Sequence, residues 1–149
     1  MLIFCQNLGL AATFNRENAF AGPGRIGARD TRTAGMSWQF SPVLGIGVNP
    51  LWPRFHETFG EDPYVAAEMG SATIRGVEGN AGSDLDSQEY CASCLKHFAG
   101  YPDPKSGKDR TVAWIGQRQF LRYFLPSFRA GVNAKSSTQI GRASCRERV

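Results

Sequence analysis

The chain has 149 residues, of which 42% are hydrophobic and 20% charged. These values are typical of one globular domain with its own core, and they argue against a chain that is disordered throughout. The formal net charge is +4, but the last eleven residues supply half of it and no stripe of Lys and Arg follows, so a nucleic-acid-binding function is not indicated.

A membrane or secretory segment is not indicated either. No run of about 18 apolar residues exists, so no membrane span is predicted. The apolar start, Met1–Cys5, has no basic residues before it and is interrupted by Gln6 and Asn7, which is unlike a signal peptide. We expect Met1 to be an arbitrary start inside a longer gene.

The apolar pattern predicts three strand–helix units. The first is a strand over Leu8–Phe14 and a helix over Asn15–Gly35, with Asn15 as its N-cap. Gly22-Pro23-Gly24 lies inside this helix. Because proline removes a helical hydrogen bond and glycine costs entropy, we expect a break or bulge there.

The second unit begins with a strand over Trp38–Leu44, whose mostly apolar sequence is typical of a parallel strand covered on both faces. The connection Gly45–Pro63 is long, and loops of this length in compact domains are usually functional. Asp62 and Pro63 are predicted to be the N-cap and first residue of the helix that follows.

The third unit follows a polar loop over Glu78–Glu89. It has a strand over Tyr90–Phe98, a second polar loop over Ala99–Thr111, and a helix over Gln117–Val132 with a kink expected at Pro126. Alternating strands and helices predict a parallel α/β fold. Three units fit part of a (β/α)8 barrel or a small doubly wound fold, but no Gly-x-Gly-x-x-Gly supports a nucleotide site.

Two motifs narrow this choice. One runs from Phe40-Ser-Pro-Val-Leu-Gly to Asn49-Pro-Leu-Trp-Pro-Arg54-Phe-His-Glu57-Thr-Phe-Gly-Glu-Asp-Pro63, and the other is Cys94-Leu-Lys96-His97-Phe-Ala-Gly-Tyr101. In this order and at this spacing they resemble glycoside hydrolase family 3, the β-glucosidases, from about Gly9 to Ala134. The resemblance implies that residues 1–134 are about three βα units of the family's N-terminal (β/α)8 TIM-type barrel.

The resemblance also implies an activity, retaining hydrolysis of terminal β-linked glucose by two carboxylates without metal or cofactor. Arg54, Lys96 and His97 would bind hydroxyls of the sugar. The nucleophile, an aspartate from a later barrel strand, and the acid/base glutamate from a second domain are expected outside this chain. The expected partners are therefore a β-glucoside or glucan oligosaccharide and the remainder of the barrel and second domain. The parent enzyme would be extracellular or lysosomal.

The backbone at Lys96-His97-Phe98 carries a further expectation. Adjacent strand residues point to opposite faces, yet the resemblance requires Lys96 and His97 to reach one sugar. The strand must therefore end, bulge or twist there. The family suggests non-proline cis peptides around this histidine.

The carboxylates near Arg54 are given structural roles. A retaining glycosidase needs two carboxyl groups about 5–5.5 Å apart across one bond, and neighbours in one turn rarely converge in that way. We interpret Asp62 as a helix cap, and Glu57 and Glu61 as partners that brace Arg54 or backbone N–H groups.

Two neighbouring segments refine the resemblance. A related subgroup that acts on N-acetylglucosamine has Lys-His-Phe-Pro-Gly-His, whereas this chain has Tyr101 at the last position, which favours the glucosidase branch. Ser106–Arg110 lacks the frame of a phosphate loop. In the family this stretch orders the loop after the Lys-His strand.

Cys91-Ala-Ser-Cys94 supports an alternative function. Its spacing matches a redox motif or half a zinc site, but zinc needs two more ligands. We favour two small apolar residues on a buried strand. A thiol or metal module using Cys91 and Cys94 stays open, as does a truncated gene model without function.

The C-terminal segment is expected to be foreign to the fold. Gln139–Val149 resembles the translation of a sequencing adapter, and the family resemblance stops before it. Residues 135–149 are therefore predicted to be a non-native or disordered tail.

Overall fold

Helices pack around a small parallel sheet in the computed structural model, which describes residues 3–80 and 83–141. The helical segments are α1 (Asn7–Ala11), α2 (Arg16–Ala19), a π-helix (Phe20–Ile26), α3 (Gly27–Thr33), a 3-10 helix (Phe55–Glu57), α4 (Pro63–Glu78), α5 (Gln117–Gln119), a second π-helix (Phe120–Phe124) and α6 (Leu125–Asn133). The strands are β1 (Trp38–Gln39), β2 (Ala92–Phe98) and β3 (Thr138–Gly141). Within these residues, no helix is both long and apolar enough to cross a bilayer.

The predicted strand over Leu8–Phe14 is wrong, because this segment contains helix α1. Leu10 and Ala11 are buried against the core, and Asn7 donates a hydrogen bond of 2.9 Å to the carbonyl of Glu57. A short apolar run cannot be assigned to strand or helix from periodicity alone. Here the helical conformation is stabilised by contacts with residues distant in the sequence.

The predicted helix over Asn15–Gly35 is confirmed as a continuous helical run from Arg16 to Thr33. The Asn15 side chain accepts a hydrogen bond of 2.9 Å from the N–H of Glu17, as an N-cap does. The expected bulge is also confirmed, because the Gly22-Pro23-Gly24 stretch forms the π-helix. At Gly24 an added Cβ would lie 3.0 Å from Gly76 Cα, so the glycines allow this run to pack closely on α4.

The helix predicted after Asp62 is α4. The Asp62 carboxylate accepts hydrogen bonds of 2.7 and 3.2 Å from the N–H groups of Tyr64 and Val65, and Pro63 occupies the first turn. Both roles are therefore confirmed. The buried face of α4 joins a core that includes Leu44, Ile46, Phe59, Met69, Ile74, Leu95, Phe124 and Phe128.

The sheet has the order β1-β2-β3 with parallel pairing throughout. The predicted strand over Trp38–Leu44 is confirmed only in part. Regular strand covers Trp38–Gln39, and Val43 forms an isolated bridge with Lys96. Pro42 has no N–H to donate, so the ladder is interrupted. The predicted strand over Tyr90–Phe98 is confirmed as β2.

The last helix is also confirmed, running from Gln117 to Asn133. Its second π-helix ends directly before α6, and Pro126 lies in the first turn of α6, where its missing N–H costs little. The irregularity expected near this proline is present.

The third strand of the sheet lies in the segment predicted to be a tail. Thr138–Gly141 forms β3 and pairs with β2, with Cys94 opposite Thr138 and Leu95 opposite Gln139. Residues 135–141 of this segment are thus described by the structure, with Thr138–Gly141 as a strand. The remainder of that segment, 142–149, lies outside the described residues, and its non-native origin stays a prediction.

Candidate sugar-binding site

Arg54 belongs to the long loop between Leu44 and α4, and the loop is anchored from both sides. The side chain of Trp52 is buried and its indole N–H donates a hydrogen bond of 2.9 Å to Asp109. The Asn49 side chain donates one of 3.0 Å to the carbonyl of Pro104. Both acceptors lie in the loop after β2, so the two long loops of the sequence are held together.

The guanidinium of Arg54 is fixed by Glu57, one turn of 3-10 helix away. Arg54 Nε donates to Glu57 Oε1 at 2.7 Å and Nη2 donates to Oε2 at 2.6 Å. This bidentate pair raises the pKa of Arg54 well above its usual value and lowers the pKa of Glu57. The predicted bracing of Arg54 by Glu57 is confirmed.

Lys96 and His97 lie near the carboxyl end of β2, where the backbone is irregular. The Lys96–His97 peptide is cis, and the pairing of β2 with β3 shifts register between Leu95 and Phe98. The irregularity and the cis peptide expected at this histidine are both present. A regular strand through Phe98 is not.

The same place brings the three predicted residues together. The charge of Lys96 also helps to lower the pKa of Glu57, after the Arg54 contacts, so Lys96 acts on the same carboxylate as Arg54. The ring of His97, which is buried, lies 5.0 Å from the ring of Tyr101 between centroids. Arg54 Nη1 donates a hydrogen bond of 3.3 Å to the hydroxyl of Tyr101.

Three residues of this cluster had no predicted role in it: Trp52, Tyr101 and Asp109. Tyr101 donates a hydrogen bond to Asp109, which also accepts from Trp52. One partial signal is visible in the sequence, because Trp52 and Tyr101 lie inside the two motifs. Nothing in the sequence alone pairs either with Asp109.

The two cysteines of the alternative thiol or metal module, Cys91 and Cys94, are not part of this cluster. Cys91 and Cys94 are buried and not disulfide-bonded, and burial raises the pKa of Cys91 to about 11. Across residues 3–80 and 83–141, no group of three His, Cys, Asp or Glu is arranged to hold a metal ion. Cys145 lies outside those ranges.

Chemically, the cluster offers cationic donors beside a carboxylate that stays ionised. Such donors suit neutral ligands rich in hydroxyl groups, since charge-assisted hydrogen bonds are the stronger kind. Glu57 is poorly suited to be a general acid, because its pKa is lowered and both oxygens accept from Arg54.

Comparison with known proteins gives the family. Residues 2–143 match the glycosyl hydrolase family 3 N terminal domain. The chain belongs to glycosyl hydrolase family 3. The match extends past Ala134, the boundary predicted from the motifs, and includes β3.

Two curated relatives show the range of enzymes in this family. The chain is 51% identical over 140 residues to a lysosomal β-glucosidase of Dictyostelium discoideum, covering 93% of this chain and 17% of that protein. It is 33% identical over 106 residues to a β-xylosidase of Formosa agariphila, covering 70% of this chain and 14% of that protein. The chain therefore spans less than a fifth of the length of these relatives.

The fold also matches solved structures. A β-glucosidase from Listeria innocua in complex with glucose superposes with a TM-score of 0.91 at 28% identity, over 94% of this chain and 19% of that one. The chain thus has the fold of part of a family 3 glycosidase.

Proposed function

We propose that this chain supplies part of the glucose-binding subsite of a retaining β-glucosidase. The observation that carries the proposal is the convergence of Arg54, Lys96 and His97 around Glu57 and Tyr101, where the chain leaves β2. In (β/α)8 barrels, ligands bind at the carboxyl ends of the strands. We infer that β1, β2 and β3 are consecutive strands of such a barrel.

The catalytic carboxylates are placed outside this cluster. By resemblance to the family, the aspartate nucleophile belongs to a later barrel strand and the acid/base glutamate to a second domain. Glu57, the carboxylate nearest to Arg54, is already committed to an ion pair. The 149 residues alone are therefore expected to bind sugar weakly and to hydrolyse none.

Binding is tested by NMR titration of the 15N-labelled full chain with glucose. We expect shifts of amides around Arg54 and His97, and their loss in Arg54→Ala. The control is Arg16→Ala, because Arg16 of α2 is exposed and pairs with Glu68 of α4. Absence of binding by the unmodified chain, or equal binding by Arg54→Ala, would show that the cluster is not a glucose site.

A parallel titration with xylose separates the two activities named among the relatives. Xylose lacks the hydroxymethyl group of glucose, so a glucose subsite should bind it less tightly. Release of nitrophenol from an aryl β-glucoside tests catalysis, and the expected rate is that of buffer. Turnover above buffer that Arg54→Ala removes would place catalytic groups within this chain.

The location of the parent enzyme is proposed from the relatives. The relative that is 51% identical is named as lysosomal. We infer that the parent enzyme acts in the lysosome or outside the cell. Expression of the complete gene with a fluorescent tag would test this.

A further inference from the structure

Tyr101 lies between two of the proposed sugar-binding residues. This residue is only 4% exposed. The hydroxyl accepts a hydrogen bond from Arg54 Nη1 at 3.3 Å, and Arg54 Cζ lies 5.7 Å from the ring centroid. The ring also meets His97 at 5.0 Å with an interplanar angle of 64°. One side chain therefore contacts both the guanidinium and the imidazole.

Tyr101 is itself held by two residues from other parts of the chain. Its hydroxyl donates to Asp109 Oδ1, and the same oxygen accepts from the Trp52 indole at 2.9 Å. The rings of Trp52 and Tyr101 meet edge to face at 5.3 Å and 90°. The tyrosine is thus fixed at its hydroxyl and along its ring.

Tyr101 adds a third hydrogen bond to the two by which Glu57 holds Arg54. A guanidinium has five N–H donors in one plane. Glu57 takes one from Nε and one from Nη2, and Tyr101 takes one from Nη1. The contacts found among the described residues leave one N–H on each terminal nitrogen, in a plane set by three hydrogen bonds. These are the donors that a sugar hydroxyl could use.

We propose that Tyr101 is a positioning residue, which holds Arg54 and His97 in one geometry and is held in turn by Asp109 and Trp52. The proposal rests on the sugar-binding function proposed above. It gives a role to Tyr101, the position at which the second motif differs from the N-acetylglucosamine subgroup. It also gives a role to Asp109, which holds Tyr101.

The test compares Tyr101→Phe with Tyr90→Phe in the full chain. Tyr90 is a matched control, because its hydroxyl accepts from Arg25 and Arg25 Cζ lies 4.7 Å from its ring centroid, far along the chain from Arg54. The readout is rotation about the Nε–Cζ bond of Arg54, measured by NMR exchange between its two terminal nitrogens without ligand. The Arg54 signal is assigned by its absence in Arg54→Lys.

We expect rotation to be about 3-fold to 10-fold faster in Tyr101→Phe, the range for loss of one hydrogen bond, and unchanged in Tyr90→Phe. Glucose affinity should fall by a similar factor in Tyr101→Phe alone. Unchanged Arg54 rotation in Tyr101→Phe would overturn the proposal, as would an Arg54 signal already averaged in the unmodified chain.

A second variant keeps the test decisive if Tyr101→Phe does not fold. Asp109→Ala removes the acceptor of Tyr101 and makes no change to Arg54 or Glu57. It should also speed Arg54 rotation, and no change would again overturn the proposal. If the unmodified chain orders Arg54 but binds no glucose, the sugar-binding function fails while the positioning role is decided by the ligand-free measurement.

Discussion

A carboxylate lies near each end of β2, and the two carboxylates differ in burial and in their hydrogen-bond partners. At the amino end, Glu78 is 1% exposed and accepts four hydrogen bonds. Their donors are the N–H and hydroxyl of Ser93 and of Ser137, at 2.5–2.8 Å. At the carboxyl end, Glu57 is partly exposed and pairs with Arg54, which keeps further donors.

This difference separates a structural end from the end proposed above to bind sugar, called the binding end below. Glu78 ends α4, and its donors belong to the start of β2 and the residue before β3, so one carboxylate ties three elements together. The four hydrogen bonds to Glu78 all come from the protein, whereas at the other end Arg54, the partner of Glu57, has N–H groups beyond the three used by Glu57 and Tyr101. In barrels the amino-terminal face supports stability and the carboxyl-terminal face carries function, and the function proposed above would give the two ends of β2 the same division.

A second buried carboxylate sharpens the comparison. Asp103, in the loop beyond the binding end, is 5% exposed, and its Oδ2 accepts no hydrogen bond within residues 3–80 and 83–141. Lys105 Nζ lies 3.7 Å from this oxygen and forms an ion pair with it. Burial raises the pKa of Asp103. Buried polar groups without hydrogen bonds cost stability, so the binding end tolerates a cost that the structural end avoids.

The largest effect is expected from Glu78→Ala. It leaves four donors without their acceptor, two on the buried Ser93 and two on the exposed Ser137. This should lower the free energy of unfolding by about 3 kcal/mol. Glu78→Gln keeps one carbonyl oxygen and should lose less. Urea denaturation followed by circular dichroism measures both. A loss below about 1 kcal/mol in Glu78→Ala would remove the distinction between the two ends.

A smaller decrease in the free energy of unfolding is expected from Glu57→Gln. Removing the charged partner of Arg54 should cost about 1–2 kcal/mol at pH 7, since both groups are partly exposed, and should weaken glucose binding. The hydrogen bonds from Arg54 lower the pKa of Glu57 from 4.5 in the folded chain. The stabilisation is therefore complete above about pH 4.5 and is lost as the pH falls through the folded-state pKa.

Denaturation at pH 7 and pH 3 tests this sign. The difference in free energy of unfolding between the unmodified chain and Glu57→Gln should be smaller at pH 3 than at pH 7. Glu61→Gln is the control, because Glu61 is exposed on the same loop. A gap that is independent of pH would mean that the ion pair does not stabilise the folded chain.

Several elements of the fold and the centre of the candidate site could be predicted from the sequence. Asn15, Asp62 and Pro63 act locally, so their capping roles follow from residue type and position alone. The two motifs that resemble one family predict Arg54, Lys96 and His97 as candidate site residues. Their convergence depends on how the strands are ordered, which residue patterns did not determine.

The features that residue patterns did not predict depend on contacts between residues distant in the sequence. Helix α1 is defined by burial of Leu10 and Ala11 and by the Asn7 contact to Glu57. Strand β3 lies in a segment whose composition resembles foreign sequence, yet Ser137 is fixed by Glu78 and Thr138 pairs with Cys94. The role of Asp109 depends on its meeting Trp52 and Tyr101.

A modest increase in the free energy of unfolding is expected from Asp103→Asn. Burial raises the pKa of Asp103 above 3.8, so the folded chain holds its proton more tightly than the unfolded chain. The ionised form therefore costs stability, a cost that is absent below about pH 3.8 and complete above the folded-state pKa. The asparagine should stabilise by about 1 kcal/mol or less at pH 7, because the lost partner Lys105 is mostly exposed.

The measurement is again denaturation at pH 7 and pH 3, with Asp86→Asn as the exposed control. The gain should be present at pH 7 and vanish at pH 3. Destabilisation at pH 7 would show that the Asp103 carboxylate is needed as an ion, and the contrast with Glu78 would then fail.

The smallest effect is expected at Cys91 and Cys94, which lie on the structural side of the comparison. They are 1% and 0% exposed, and with the pKa of Cys91 raised to about 11 only about one Cys91 thiol in a thousand is ionised at pH 8. Because the thiolate is the reactive form, labelling by Ellman's reagent in a Cys5→Ser, Cys145→Ser background should be at least about 100-fold slower in the native chain than in urea. Zinc should leave the unfolding midpoint unchanged. Rapid native labelling, or a midpoint raised by equimolar zinc, would instead support the thiol or metal module that the Cys-x-x-Cys spacing allows.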